Sequence, residues 1–207
     1  NPIQIIEIKE IEHRALENYL SSRSISIKTA RKLCKEIHYR IGERIYFGIG
    51  LQNRSGGWEL RNSYWKGSTS PKDVSLIKND SKNLAITEGM FDMLTLLELM
   101  PYIVNSHDLL VLNTTAFVKR MIKEIGKYES VELFLDRDKA GMGMTELLLE
   151  KCPNSRDMSS LYEGFKDINE WKVKSAKDEV RQRIQDVFLL PQKQSCFAPD
   201  GCKEKKE

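Results

Sequence analysis

Five carboxylates stand where apolar runs break off. Glu88 follows NLAIT (83–87), Asp136 and Asp138 lie in ELFLDRDKAG (132–141), and Asp167 lies in GFKDINEW (164–171). Asp92 sits four residues beyond Glu88, a spacing that puts both on one side of a helix beginning there. Converging acids repel one another and hold their protons to higher pH unless a cation neutralises them. Hard oxygen ligands, one or two carboxylates from each place, suit Mg2+, which keeps part of its water and shares phosphate oxygens. Such an ion helps to activate an attacking hydroxyl and to stabilise a leaving phosphate. Gly89 and Gly141 follow the acids and would let phosphates approach the backbone near helix N-termini. Each feature also has a plainer reading. An Asp-x-Asp is commonly structural, Asp92 suits the dipole of a first helical turn, and Asp167 is placed to cap the helix after it. The ordered set, inside one block of about 90 residues, is what carries the chemistry.

The elements around these acids alternate. Asn83–Thr87, Leu109–Leu112, Val131–Leu135 and Arg156–Ser159 read as strands. Phe91–Met100, Ala116–Tyr128 and Gly141–Lys151 read as the helices between them. Strand and helix in turn predict right-handed βαβ units and a mostly parallel sheet with helices on both faces. Ligands gather beyond the carboxyl ends of such strands, where Glu88 and Asp136 fall. The first 82 residues predict a small basic α+β unit. It has helices over Ile11–Leu20 and, from a Ser26 cap, through Thr29–Glu36. Strands over Arg44–Leu51 and Trp58–Arg61 flank an Asn53–Gly57 turn, and Arg61–Asp73 reads as a loop. The fold class is thus α/β, with units at 1–82, 83–172 and 173–207. The last holds a charged helix (KSAKDEVRQRIQDVF) and a tail, Pro191–Glu207, expected to be mobile.

The 207 residues suffice for one ordinary core, and the net charge of +3 is unevenly spread. Arg23–Lys78 holds twelve Lys and Arg against four Asp and Glu, which leaves the rest of the chain net acidic. A basic front and an acidic back suit a polyanion on one side and cations on the other; a solvated charged surface reads the same way. Cys34, Cys152, Cys196 and Cys202 form no C-x-x-C pair, so no zinc ribbon is readable, and they fit a reducing cytoplasm. No apolar run approaches the ~20 residues that span a bilayer. The first residue is Asn1 rather than Met, which leaves an upstream segment open.

The motifs ITEGMFDMLTL (86–96), ELFLDRDKAG and GFKDINEW together resemble the Toprim domain, over Lys82–Trp171. That metal-binding module is shared by bacterial-type primases, topoisomerases, and some nucleases and recombination proteins. EGMFDMLTL looks most like the bacterial (DnaG-type) primase branch. GIGLQNRSGGWELRNSYWKGSTSPKD is similar to the subdomain that precedes Toprim there, over about Ile11–Lys78. The resemblance implies an RNA-polymerase core making primers on a single-stranded DNA template from ribonucleoside triphosphates. Glu88, Asp136 and Asp138 would then be catalytic and bind Mg2+ or Mn2+, and Asp92 and Asp167 would complete the metal cluster. Lys66 resembles in placement the primase lysine implicated in nucleotide handling. Arg54, Arg61 and Lys72 are candidates for template or triphosphate contacts, as are Gly89 and Gly141 for phosphate. Trp58, Tyr64 and Trp65 can stack on bases, with core the favoured reading for Trp58. The family pattern has a second aspartate where this chain has Asn169, which weakens a second metal site. The family's zinc-binding domain is not among these residues. A replicative helicase or mobile-element replication protein is the implied partner, and no membrane. The alternatives are a Toprim-type nuclease using the same acids, and a non-catalytic DNA-binding module with a vestigial metal site.

Overall fold

The structure, a computed structural model, describes residues 2–189. The tail from Pro191, with Cys196 and Cys202, lies outside those residues. The front of the chain is β1 (Ile3–Lys9), α1 (Arg14–Ser22), α2 (Ile27–Leu33), β2 (Cys34–Ile41), β3 (Arg44–Gln52), β4 (Trp58–Arg61) and β5 (Lys66–Ser68). Its strands form one sheet in chain order, every pair antiparallel. Ser26 caps α2, its hydroxyl accepting from the Thr29 N–H at 3.1 Å. α1 starts later than expected because the His13 ring nitrogen accepts from the Ala15 N–H and sets the first turn.

Three parts of this sheet depart from the sequence reading. The second helix stops at Leu33, and Cys34–Glu36 begin a strand. From Cys34 onward, pairing with both β1 and β3 overrides local helix propensity. β1 was not foreseen, and the expected loop over Arg61–Asp73 contains the three-residue strand β5. The buried Glu36 carboxylate ties β2 to the start of α1. It accepts from the Glu12 and His13 N–H groups at 3.0 and 2.8 Å and lies 2.7 Å from the His38 ring.

The second half follows the expected alternation: β6 (Ser75–Ile77), β7 (Asn83–Thr87), α3 (Met90–Leu99), α4 (Ile103–Ser106), β8 (Asp108–Val111), α5 (Val118–Ile125), β9 (Ser130–Phe134), α6 (Lys139–Lys151), β10 (Ser155–Asp157), α7 (Ile168–Lys174) and α8 (Lys177–Leu189). The sheet order is β10-β9-β7-β8-β6. The first four strands are parallel, and β6 is an antiparallel edge strand absent from the sequence reading. The charged C-terminal stretch from Lys174 forms α8, parted at Ser175-Ala176 from α7, the helix that Asp167 caps.

Both sheet faces are covered, which is why the strands read as continuous apolar runs. Leu84, Ile86, Leu110 and Leu133 pack toward α5 and α6 with Val118, Met121, Met144 and Leu148. Ala85, Leu109, Val111 and Phe134 pack toward α3 with Met93, Leu94 and Leu97. That second cluster also takes in Leu16, Leu20, Cys34, Ile49 and Leu51 from the front of the chain and Trp171 from α7. One core therefore joins the inner face of the first sheet to the α3 side of the second. β6 likewise belongs to the second sheet, although Ser75–Ile77 lies within the first 82 residues.

Candidate metal and nucleotide site

The shared core brings the β4–β5 edge of the first sheet over the carboxyl ends of the parallel strands. Between them lies a cleft of about 310 Å3. Glu88, Asp92, Asp136 and Asp167 line one side, and Arg61 and Lys66 reach it from β4 and β5.

Local chemistry fixes each acid. Glu88 leaves the end of β7, and its Oε2 is buried with no hydrogen-bond partner. Gly89 is the N-cap of α3, and a Cβ there would stand 2.9 Å from Asp92 Oδ2. Glycine thus leaves room for the Asp92 carboxylate against the turn. Asp136 follows β9. Asp138 caps α6, accepting from the Ala140 and Gly141 N–H groups at 3.0 Å each. Gly141 rests on the strand end: a Cβ on it would lie 2.0 Å from the Asp136 carbonyl oxygen. Asp167 caps α7 through the Glu170 N–H at 2.7 Å. The two acidic loops are tied by the Arg137 N–H, which donates to the Lys166 carbonyl at 2.7 Å. The Lys166 ammonium sits between Asp136 (3.4 Å) and Asp138 (3.3 Å).

The electrostatics follow from burial and crowding. Burial, then the charges of Asp136 and Asp138, push Glu88 up to about 7 against the pull of Lys166 and Lys66. Burial, then Asp167 and Asp136, raise Asp92 well above the carboxylate range, and Arg23 opposes them. Asp136 is raised by burial and by Asp167, with Lys166 pulling the other way. Asp138 is lowered, first by the Gly141 N–H, with Lys166 adding to the effect. The charge of Asp136 raises Lys166 in turn.

Among the described residues no group of three or more His, Cys, Asp or Glu is already closed into a ligand set. The donors nonetheless suit a hard divalent cation. They are all carboxylates, neighbouring acids help to raise Glu88, Asp92 and Asp136, and one buried oxygen of Glu88 has no partner.

Other expected site residues fall elsewhere. Arg54 pairs with Asp73 (3.3 Å) and Glu124 (2.8 Å) and does not line the cleft. Lys72 lines an adjoining groove with Lys66, Ser68 and Phe117. Gly141 serves helix-on-strand packing. Asn169 is fully buried, and its amide donates to the Arg23 carbonyl (2.9 Å) and the Thr95 hydroxyl (2.7 Å). It does not line the cleft, so the family's missing aspartate is used here to pack α7 on α3.

The cleft also holds residues the sequence did not single out, among them Tyr19, Arg23 and Asn113. Arg23 has a buried, unpartnered Nε, and its guanidinium lies 5.4 Å from the Phe91 ring centre. Asn113 takes a left-handed backbone (φ 62°), and its N–H donates to the Glu88 carbonyl at 3.0 Å. No local pattern marks either residue. Lys166 adjoins a quoted motif, but its place between two acids appears only when the loops meet.

Residues 85–171 match the Toprim-like family, and residues 5–70 match a family described as a domain of unknown function, DUF8464. No curated protein matches the sequence. The primase fragment of the bacteriophage T7 primase-helicase is similar, with a TM-score of 0.60 and 22% identity over 80% of this chain and 73% of that one. A T7 assembly of lagging-strand DNA polymerase with primase domains bound to an RNA/DNA hybrid and dTTP gives 0.57 and 19%, over 85% and 96%. The Aquifex aeolicus primase, comprising zinc-binding and RNA polymerase domains, gives 0.55 and 17%, over 86% of this chain and 57% of that one. The chain thus carries a Toprim-like domain and has the fold of primase catalytic fragments.

Proposed function

We propose that this chain is a primase-like nucleotidyltransferase core that synthesises short RNA primers on single-stranded DNA in the cytoplasm. The observation that carries the reading is one cleft in which Glu88, Asp92, Asp136 and Asp167 face Arg61 and Lys66. Carboxylates meeting Arg61 and Lys66 across one cleft, with Glu59 beside those two cations and Arg23 and Lys166 among the acids, suit the metal and phosphates of a nucleoside triphosphate complex. Glu88, Asp136 and Asp138 would hold Mg2+ or Mn2+, with Asp92 and Asp167 completing the negative wall. When bound, the ion supplies Lewis-acid contact to phosphate oxygens. Arg61 and Lys66 hold triphosphate oxygens from the opposite wall. Glu88, raised to about 7, is suited to take the proton of the attacking 3′-hydroxyl. The hydroxyl oxygen bonds to the α-phosphorus, pyrophosphate departs, and the proton rests on Glu88. Asn169 lies outside the cleft, so the acids that line it are intact. The T7 relative is a primase-helicase, which supports a replicative helicase or mobile-element replication protein as partner.

The test supplies single-stranded template, labelled ribonucleotides and Mg2+ or Mn2+. Short de novo products are expected, reduced at least about 100-fold in Asp136→Asn with the circular dichroism spectrum unchanged. Shortening of the template instead would assign the cleft to a nuclease. Retained DNA binding with neither product would leave a non-catalytic binding module.

A further inference from the structure

The outer face of the first sheet is unlike a solvated one. Directly paired residues share a face. Tyr39 pairs with Tyr46, Ile37 with Gly48, Gly50 with Leu60, and Leu60 with Gly67, which places all of them on the side away from α1, α2 and α3. Ile37, Tyr39, Trp58 and Leu60 form a separate buried cluster there, joined by Ile3, Ile5 and Ile41, and among the described residues no helix contributes to it. Glycines floor it. A Cβ on Gly67 would stand 2.0 Å from the Trp65 ring, and one on Gly50 would strike Ile37 and Trp58. Trp65 can therefore lie across the sheet toward Tyr39. Three rings result in a row: Trp65 and Tyr39 at 5.5 Å and 30°, Tyr39 and Tyr46 at 5.8 Å and 25°. Trp65 and Tyr46 remain 37% exposed at the two ends, and Tyr39 between them is buried.

We propose that the exposed ends of this row, Trp65 and Tyr46, form a stacking platform for single-stranded nucleic acid, outside the catalytic cleft. Two observations favour a nucleic acid over a protein partner. The exposed ends are aromatic, and base stacking on such rings tolerates any sequence. Arg44 stands two residues from Tyr46 on the same face, is exposed, and has no ion pair among the described residues. Lys66, next to Trp65 in the chain, falls on the opposite face and lines the cleft, so only the edge strand β5 parts the rings from it. The inference deepens the reading above, whose template is single-stranded, but it rests on ring geometry and not on the acids.

The experiment measures binding of a fluorescently labelled thymidine oligonucleotide to the full chain, without nucleotide or metal, so that it is separate from catalysis. Tyr46→Ala, and Tyr46→Ala with Trp65→Ala, should weaken binding about 5- to 100-fold, while the corresponding Phe variants retain it. The oligonucleotide should quench tryptophan fluorescence. Tyr46 is 37% exposed at one end of the row, so its single variant keeps the test decisive if the double variant does not fold. Unchanged affinity in the Ala variants overturns the platform, as does equal loss in the Phe variants. A concentration-dependent dimer broken by Tyr46→Ala, with DNA affinity unchanged, also overturns it and assigns the face to a second copy. Asp136→Asn separates the two readings. If it fails to prime yet binds, and the ring variants lose binding, the platform stands whatever the chemistry. If wild type primes and the ring variants bind and prime equally well, the platform alone falls.

Discussion

At the scale of single residues, Glu88 concentrates the conflict that a metal resolves. Burial and two neighbouring aspartates raise it to about 7, so below neutral pH it is protonated and can neither ligate a cation nor accept a proton. Metal affinity should therefore rise as pH passes through about 7 and level off above it, read by Mn2+ titration across a pH series. Glu88→Gln should weaken binding and flatten that profile. A raised carboxyl also costs stability, a cost that builds as pH rises from the unfolded value of 4.5 to about 7 and is full above it. The metal-free Glu88→Gln protein should accordingly melt higher than wild type on the alkaline side of 7, a reversal expected where a site is built for binding.

At the scale of elements, two contacts hold the acids in place. Gly141 lets α6 close onto the end of β9. Gly141→Ala should cost about 1–3 kcal/mol, roughly 3–10 °C in Tm, because the atom it would strike is backbone. The same variant should weaken metal binding, since Asp136 and Asp138 flank that contact. Glu36 does comparable work between β2 and α1. Burial alone would raise it, but the Glu12 N–H, the His38 ring, the His13 N–H and the charge of Lys9 together hold it at about 2. Its contribution is present above the unfolded value of 4.5 and is lost as pH falls toward 2. It amounts to roughly 3 kcal/mol. Glu36→Gln should remove most of this acid sensitivity in a melting series from neutral pH downward.

At the scale of the whole molecule, the uneven charge becomes a cleft where carboxylates at the parallel-strand ends meet Arg61 and Lys66. Single-stranded DNA binding should weaken linearly in log affinity with log salt, and Lys66→Ala should reduce that slope by about 1. Arg54→Ala should behave oppositely. It leaves the buried Asp73 with less compensation, so it lowers Tm while changing the slope little. A fluorescence anisotropy series in salt with both variants checks the pair.

The alternating block was legible because the central parallel strands β7 and β8 are almost wholly buried and read as short apolar runs, each set off from the helix after it by turn residues. NLAIT matched β7 to the residue, and the acids after it sit where a parallel sheet places ligands. Sequence alone determined the carboxylate set, its order and the Toprim-like block that carries it. It could not determine β1 or β6, because edge strands are defined by the neighbour they pair with. Only the tertiary structure decided that Arg61 and Lys66 share a cleft with Glu88, and that Arg23 and Asn113 join them. It also decided that Arg54 and Asn169 are turned to packing and ion pairs. The physical reason is one of range. Periodicity reports which face of an element is buried, whereas a site is made where distant elements dock, and that depends on the single core shared by the two sheets.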